Sequence, residues 1–133
     1  MPTTDFTLLY VEDDRESQRQ MKLILEDSVK KFYQAYNGEE GLKIFKEKNP
    51  DIILTDINMP VLDGLSMVKQ IKELDATKPI MLMSAFEDKR YLSKAISMKI
   101  DFFVSKPINI DILENGLKAI AKKLQNKIST IGI

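Results

Sequence analysis

Residues 51–56 read DIILTD, an apolar run without alternation that closes on a carboxylate. A strand with one wet face alternates apolar and polar side chains, whereas a strand covered on both faces is apolar throughout. The second description fits residues 52–55, and it fits LLYV at 8–11, IMLM at 80–83 and FFV at 102–104. Residues 31–35 read as a weaker strand.

The segments between these runs carry helical spacing. Met21, Ile24 and Leu25 mark a helix within residues 14–28, and Leu42 and Phe45 mark a second. Leu65, Val68 and Ile71 mark a third over residues 64–74, and residues 89–98 and 110–124 complete the set. Asn37-Gly38 reads as a turn, and Asn49-Pro50 closes the second helix, because the residue before proline avoids helical dihedrals. Five strands alternating with five helices predict an α/β fold, a parallel sheet with helices on both faces, since parallel strands need crossover connections. Residues 125–133 read as a loose end.

Composition narrows the function. The 133 residues suit a single domain. Twenty basic and twenty acidic side chains cancel, which argues against direct nucleic-acid binding. The chain has no cysteine and no histidine, which removes disulfides, thiol chemistry, the usual general base and the usual transition-metal ligand. No apolar run approaches the roughly 18 residues of a membrane span, and the polar start is no signal sequence. No membrane association is expected, and the expected location is the cytoplasm.

In sheets of this kind ligands bind at the carboxyl ends of the strands. Those ends carry Glu12-Asp13-Asp14 after the first strand, Asp56 after the third, Ser84 after the fourth and Lys106 just beyond the fifth. Carboxylates gathered in one place repel one another and stay ionised only beside a cation. With oxygen ligands alone the fitting ion is hard, Mg²⁺ or alternatively Mn²⁺. A carboxylate is a competent nucleophile toward phosphorus, and a phosphoryl group in transfer needs a metal, a cation and hydrogen-bond donors around its oxygens. Asp56 is the expected nucleophile, with Lys106 and the Ser84 hydroxyl meeting the phosphoryl oxygens. Asp14 is expected to cap the first helix rather than bind a metal. No residue stands out as a base for hydrolytic water, so the phosphorylated state is expected to persist.

With the motifs YVEDD (10–14), LTDINMPVLDG (54–64), MSA (83–85) and SKP (105–107), the chain resembles the receiver domains of two-component response regulators. The resemblance covers residues 5–125 and leaves 126–133 as a C-terminal tail or the start of a linker. It implies a flavodoxin-like (βα)₅ three-layer sandwich with strand order 2-1-3-4-5. It makes Asp56 the phosphoacceptor, Asp13 a direct Mg²⁺ ligand, Glu12 a ligand acting largely through water, and the backbone carbonyl of Asn58 a further ligand. It makes Lys106 the phosphate-binding cation, Ser84 and Phe103 the switch pair, and Pro107 the second residue of a cis peptide bond. Asn58 and Phe86 would modulate access of water, the Phe86 ring hindering it.

The resemblance also implies partners. A histidine kinase or phosphotransfer protein supplies the phosphoryl group in trans, since this chain has no histidine of its own. A downstream effector protein or domain reads the face of the fourth helix, fifth strand and fifth helix, including Lys89, Arg90, Tyr91 and Lys94. A phosphorylation-dependent homodimer is compatible with that face. The expected role is acceptor, with autodephosphorylation, and not turnover enzyme. Two other readings remain open at this point. One is a Mg²⁺-dependent phosphohydrolase with an aspartate nucleophile; the other is a receiver-like interaction module that never takes phosphate.

Overall fold

The computed structural model describes residues 5–85 and 92–130. Among them lie β1 (Thr7–Val11), α1 (Arg15–Leu25), β2 (Lys31–Ala35), α2 (Gly38–Lys48), β3 (Ile52–Asp56), α3 (Gly64–Leu74), β4 (Ile80–Ser84), α4 (Leu92–Ser97), β5 (Phe102–Ser105) and α5 (Ile110–Thr130). A 3₁₀ turn, Glu26–Ser28, follows α1. All strand pairs are parallel and the order is β2-β1-β3-β4-β5, the flavodoxin-like arrangement that the family resemblance implied.

The alternation of side chains along β1, β3 and β4 explains why those runs are apolar throughout. Residues 102–104, expected to be covered on both faces, are not, because β5 is an edge strand and Phe103 is exposed. Leu8 and Tyr10 of β1 and Ile52 and Leu54 of β3 pack toward Met21, Leu25, Leu113 and Leu117 of α1 and α5. Leu9, Val11 and Ile53 turn to the opposite face, against Leu42, Phe45, Met67, Val68 and Ile71 of α2 and α3. A smaller cluster of Ile57, Leu65, Leu82 and Ala95 sits where α4 covers the sheet. Burying each Leu or Ile contributes about 1.5–3 kcal/mol, so the two-sided core is the main stabilising element of the fold. Among the described residues no helix is long and apolar enough to cross a membrane.

Helix starts are fixed by side-chain caps. Asp14 Oδ2 accepts from the Ser17 amide at 2.9 Å, Asn37 Oδ1 from the Glu40 amide at 2.8 Å, and Asp63 Oδ1 from the Ser66 amide at 2.8 Å. Asn37 is thus more than a turn residue: it starts α2 directly. Asn49 ends α2 in the left-handed region, with φ 45°, and Pro50 prevents continuation. The fifth helix differs from its expected extent, running to Thr130 where the apolar stripe ends at Leu124. The helical backbone continues because residues 125–130, QNKIST, contain neither Gly nor Pro.

The start of α3 is pressed against the end of β3. The Gly64 amide donates to the Ile57 carbonyl at 2.8 Å, and a Cβ at position 64 would penetrate the Asp56 carbonyl oxygen. Alanine normally favours a helix over glycine by about 1 kcal/mol. Here the sign reverses. Gly64→Ala is expected to destabilise the chain by about 2–3 kcal/mol, read from urea denaturation, and an unchanged or raised midpoint would contradict the close approach.

Candidate functional site

The exits of β1, β3, β4 and β5 meet at one edge of the sheet. Val11 lies beside Thr55 and Asp56 beside Met83 in the ladder, which brings the residue after β1 next to the last residue of β3. Asp56 is only 6% exposed and Glu12 3%, while Asp13 faces solvent. Asp56 Oδ1 accepts from the Ile57 amide at 2.8 Å, and Oδ2 accepts from Lys106 Nζ at 2.8 Å. Lys106 Nζ also stands 3.6 Å from Glu12 Oε1. The backbone delivers it there: the Lys106 amide donates to the Ser84 carbonyl at 2.9 Å, and the Lys106–Pro107 bond is cis, as the motif implied.

Three carboxylates face one ammonium. The oxygens of Glu12, Asp13 and Asp56 come within 4.8 Å of one another. Burial, and then the charge of Asp56, push the Glu12 carboxyl up to about 8, with Lys106 pulling the other way. Burial alone would depress the Lys106 ammonium, but the hydrogen bond and charge of Asp56 and the charge of Glu12 outweigh it, and its pKa is raised. Burial, with Glu12, Asp56 and Asp14, also raises the Tyr10 phenol, which stays protonated. Fully ionised, the cluster carries three negative charges against one positive, an excess of two. Its donors are oxygens alone, in a chain with no histidine or cysteine, so the set fits a hard divalent ion such as Mg²⁺ or Mn²⁺ and does not fit a zinc centre.

Ser84 ends β4 at the same edge, half-buried. Asn58 lies exposed in the loop after β3. Phe103, on β5, is 36% exposed and faces solvent. Asp14 caps α1 and stands outside the carboxylate group, as its sequence context suggested. Lys94 is exposed on α4, whereas Phe86, Lys89, Arg90 and Tyr91 lie outside the described residues. A cavity of about 450 Å³ adjoins the cluster, with Glu12, Lys106, Tyr10 and Met21 on its wall.

One residue of the site was missed from the sequence. Gln18 is 1% exposed, and its Nε2 donates to the carbonyls of Glu12 at 3.0 Å and Ala35 at 2.6 Å. A signal existed, since Gln18, Met21 and Leu25 share the inward stripe of α1 at i, i+3 and i+7.

Comparison with known proteins agrees with this geometry. The family model of the response regulator receiver domain matches residues 8–118. The chain is 31% identical over 100 residues to chemotaxis protein CheY of Halobacterium salinarum, covering 75% of this chain and 83% of that protein. It is 29% identical over 117 residues to the transcriptional regulatory protein AfsQ1 of Streptomyces coelicolor, covering 88% of this chain but only 52% of that one. Among solved structures, the N-terminal domain of an uncharacterized protein from Wolinella succinogenes superposes with a TM-score of 0.86 at 34% identity, over 92% of this chain and 98% of that chain.

The Glu12 shift has a consequence for stability. A carboxyl whose folded pKa is raised binds more protons when folded than when unfolded, so its contribution is complete below the unfolded value and is lost as pH rises through about 8. The metal-free chain is therefore expected to lose thermal stability between about pH 5 and pH 8. Glu12→Gln should flatten that slope and raise the midpoint at pH 8. Melting curves in the presence of a chelator test this, and a Glu12→Gln slope equal to that of the parent would contradict it.

Proposed function

The chain belongs to the response regulator receiver domain family, and we propose that it stores a signal as a phosphoryl group on Asp56. The observation that carries this reading is the Asp56 carboxylate, nearly buried at a strand end and held between the Ile57 amide and the Lys106 ammonium, with Glu12 and Asp13 beside it. Glu12, Asp13 and Asp56, with the backbone carbonyl of Asn58, would hold Mg²⁺. When bound, Mg²⁺ supplies positive charge to offset the carboxylates and the phosphoryl oxygens.

One oxygen of Asp56 attacks the phosphorus of the donor, and the donor's nitrogen or acyl oxygen leaves with the bonding pair. The Ile57 amide keeps the carboxylate oriented, and Lys106 transfers its ammonium from the Asp56 oxygen to an oxygen of the incoming group. The Ser84 hydroxyl then donates to another phosphoryl oxygen. Its movement frees space at the edge of β5 into which the solvent-facing Phe103 ring turns. The face that reports the change carries Ile96, Phe103 and Ile112, all exposed apolar side chains on α4, β5 and α5. A phosphoryl group adds nearly two negative charges and three strong acceptors, enough to shift the population of an existing two-state element.

A histidine kinase or phosphotransfer protein is the donor, because the chain contains no histidine. The receiver unit spans residues 5–125, acts in the cytoplasm, and serves as an acceptor rather than a turnover catalyst. An effector protein or domain reads the α4–β5–α5 face.

Incubation with acetyl phosphate and Mg²⁺ should add one phosphoryl group by intact mass, and chelation or Asp56→Asn should abolish the gain. Ser84→Ala should still take up phosphate but leave backbone NMR signals of α4 and α5 near their unphosphorylated positions. Phosphate retained by Asp56→Asn would overturn the assignment of Asp56. Sustained turnover of a phosphomonoester would identify a phosphohydrolase instead.

A further inference from the structure

Gln18 occupies a core position without a core residue's chemistry. It lies on the inward stripe of α1 with Met21 and Leu25, where an apolar side chain would fill the space with no buried donors to satisfy. Both amide hydrogens are used. Nε2 donates to the Glu12 carbonyl at 3.0 Å and to the Ala35 carbonyl at 2.6 Å, and Oε1 accepts from Gln34 Nε2 at 2.9 Å. The Glu12 amide in turn donates to the same Ala35 carbonyl at 3.0 Å.

The result is a closed ring of hydrogen bonds. The Glu12 N–H and the Gln18 side chain converge on Ala35 at the exit of β2, and Gln18 returns to the Glu12 carbonyl at the exit of β1. Both polar groups of the Glu12 backbone are thereby fixed, and with them the direction in which its side chain leaves the chain. On the far side, Asp14 Oδ2 is tied to the Ser17 amide at 2.9 Å and to the Ser17 hydroxyl at 2.7 Å. The Glu12-Asp13 turn is thus clamped from both ends by α1, on the Gln18 side through the backbone carbonyl of Glu12.

We infer that Gln18 is a positioning residue for the acidic pair, setting cation affinity by holding the Glu12-Asp13 backbone against the repulsion of its own carboxylates. The inference rests on the reading of Glu12 and Asp13 as cation ligands. Removing the Gln18 amide leaves the Glu12 carbonyl without its buried donor and lets the peptide that follows it rotate. Groups that orient ligands in this way from behind typically change metal affinity by about 10–100-fold when lost.

The test is Mg²⁺ titration by calorimetry on the full chain, together with hydrogen exchange at the Glu12 amide in the absence of metal. Gln18→Leu should raise the Kd for Mg²⁺ about tenfold and speed exchange at Glu12. Leu25→Val, which loosens the packing of α1 two turns further on, should lower the melting temperature and leave the Kd unchanged. Gln34→Leu removes only the donor that orients the Gln18 amide and should give a smaller loss of affinity in the same direction; it decides the matter if Gln18→Leu does not fold. Wild-type affinity in both glutamine variants, or an equal loss in Leu25→Val, would overturn the clamp. A wild-type chain that binds no Mg²⁺ would overturn the cation reading as well, whereas wild-type binding retained in both glutamine variants would overturn the clamp alone.

Discussion

Glu12, Asp13 and Asp56 hold their oxygens within 4.8 Å of one another around one ammonium, that of Lys106. When all three are ionised, two like charges about 4 Å apart repel by roughly 4 kcal/mol at the effective dielectric of a protein surface, so the charged cluster depends on something rigid to keep it together. That something is β3 and its neighbours. Every residue of β3 is buried, with partners on both sides of the sheet, and Asp56 is its last residue. The capped starts of α1, α2 and α3 lie at the same edge and turn their positive dipole ends toward it. The apolar core and the charged edge are two sides of one design: the first supplies the rigidity that the second consumes.

The loop after β3 is held by hydrogen bonds of its own. The Gly38 amide at the start of α2 donates to the Leu62 carbonyl at 2.9 Å, and the Leu62 amide donates back to Pro60 at 2.8 Å. Between them Val61 adopts φ 71°, a left-handed conformation that costs a β-branched residue more than most. Gly38 and Gly64 flank this loop at points where a side chain would strike the Leu62 and Asp56 carbonyls. Asn58, the candidate carbonyl ligand, therefore sits on a segment braced by α2 and by α3, and its position follows from packing rather than from its own side chain.

Much of this was legible in the sequence. Two-sided burial wrote itself as unbroken apolar runs in β1, β3 and β4, and the acids ending β1 and β3 meet in one carboxylate cluster, because parallel strands all discharge at one edge. The apolar run of β5 misleads, because β5 is an edge strand that leaves Phe103 exposed. Asp14 announced its capping role because Asp favours the position just before a helix. Other features were hidden for physical reasons. Gln18 looks like one more polar residue of an amphipathic helix until the carbonyls of Glu12 and Ala35 are seen beneath it. The full extent of α5 is not written in its hydrophobic spacing, because spacing reports contact with the core while backbone helicity also follows propensity. The outward setting of Phe103 depends on how β5 meets its neighbours, which no local pattern records.

The sheet has an assembly consequence. β1 lies in its interior, yet its ladder partners come from far along the chain, Leu8 pairing with Phe32 on one side and Ile52 on the other. Every neighbouring pair must close a crossover before it gains a hydrogen bond, so no hairpin can nucleate this sheet locally. Glu12, Asp56 and Lys106 belong to the first, third and fifth strand exits, and none of the three meets the others until that closure is complete. A ligand held at this edge therefore favours the assembled chain over every partly folded form, stabilising it by RT ln(1 + [L]/Kd) as a single cooperative unit.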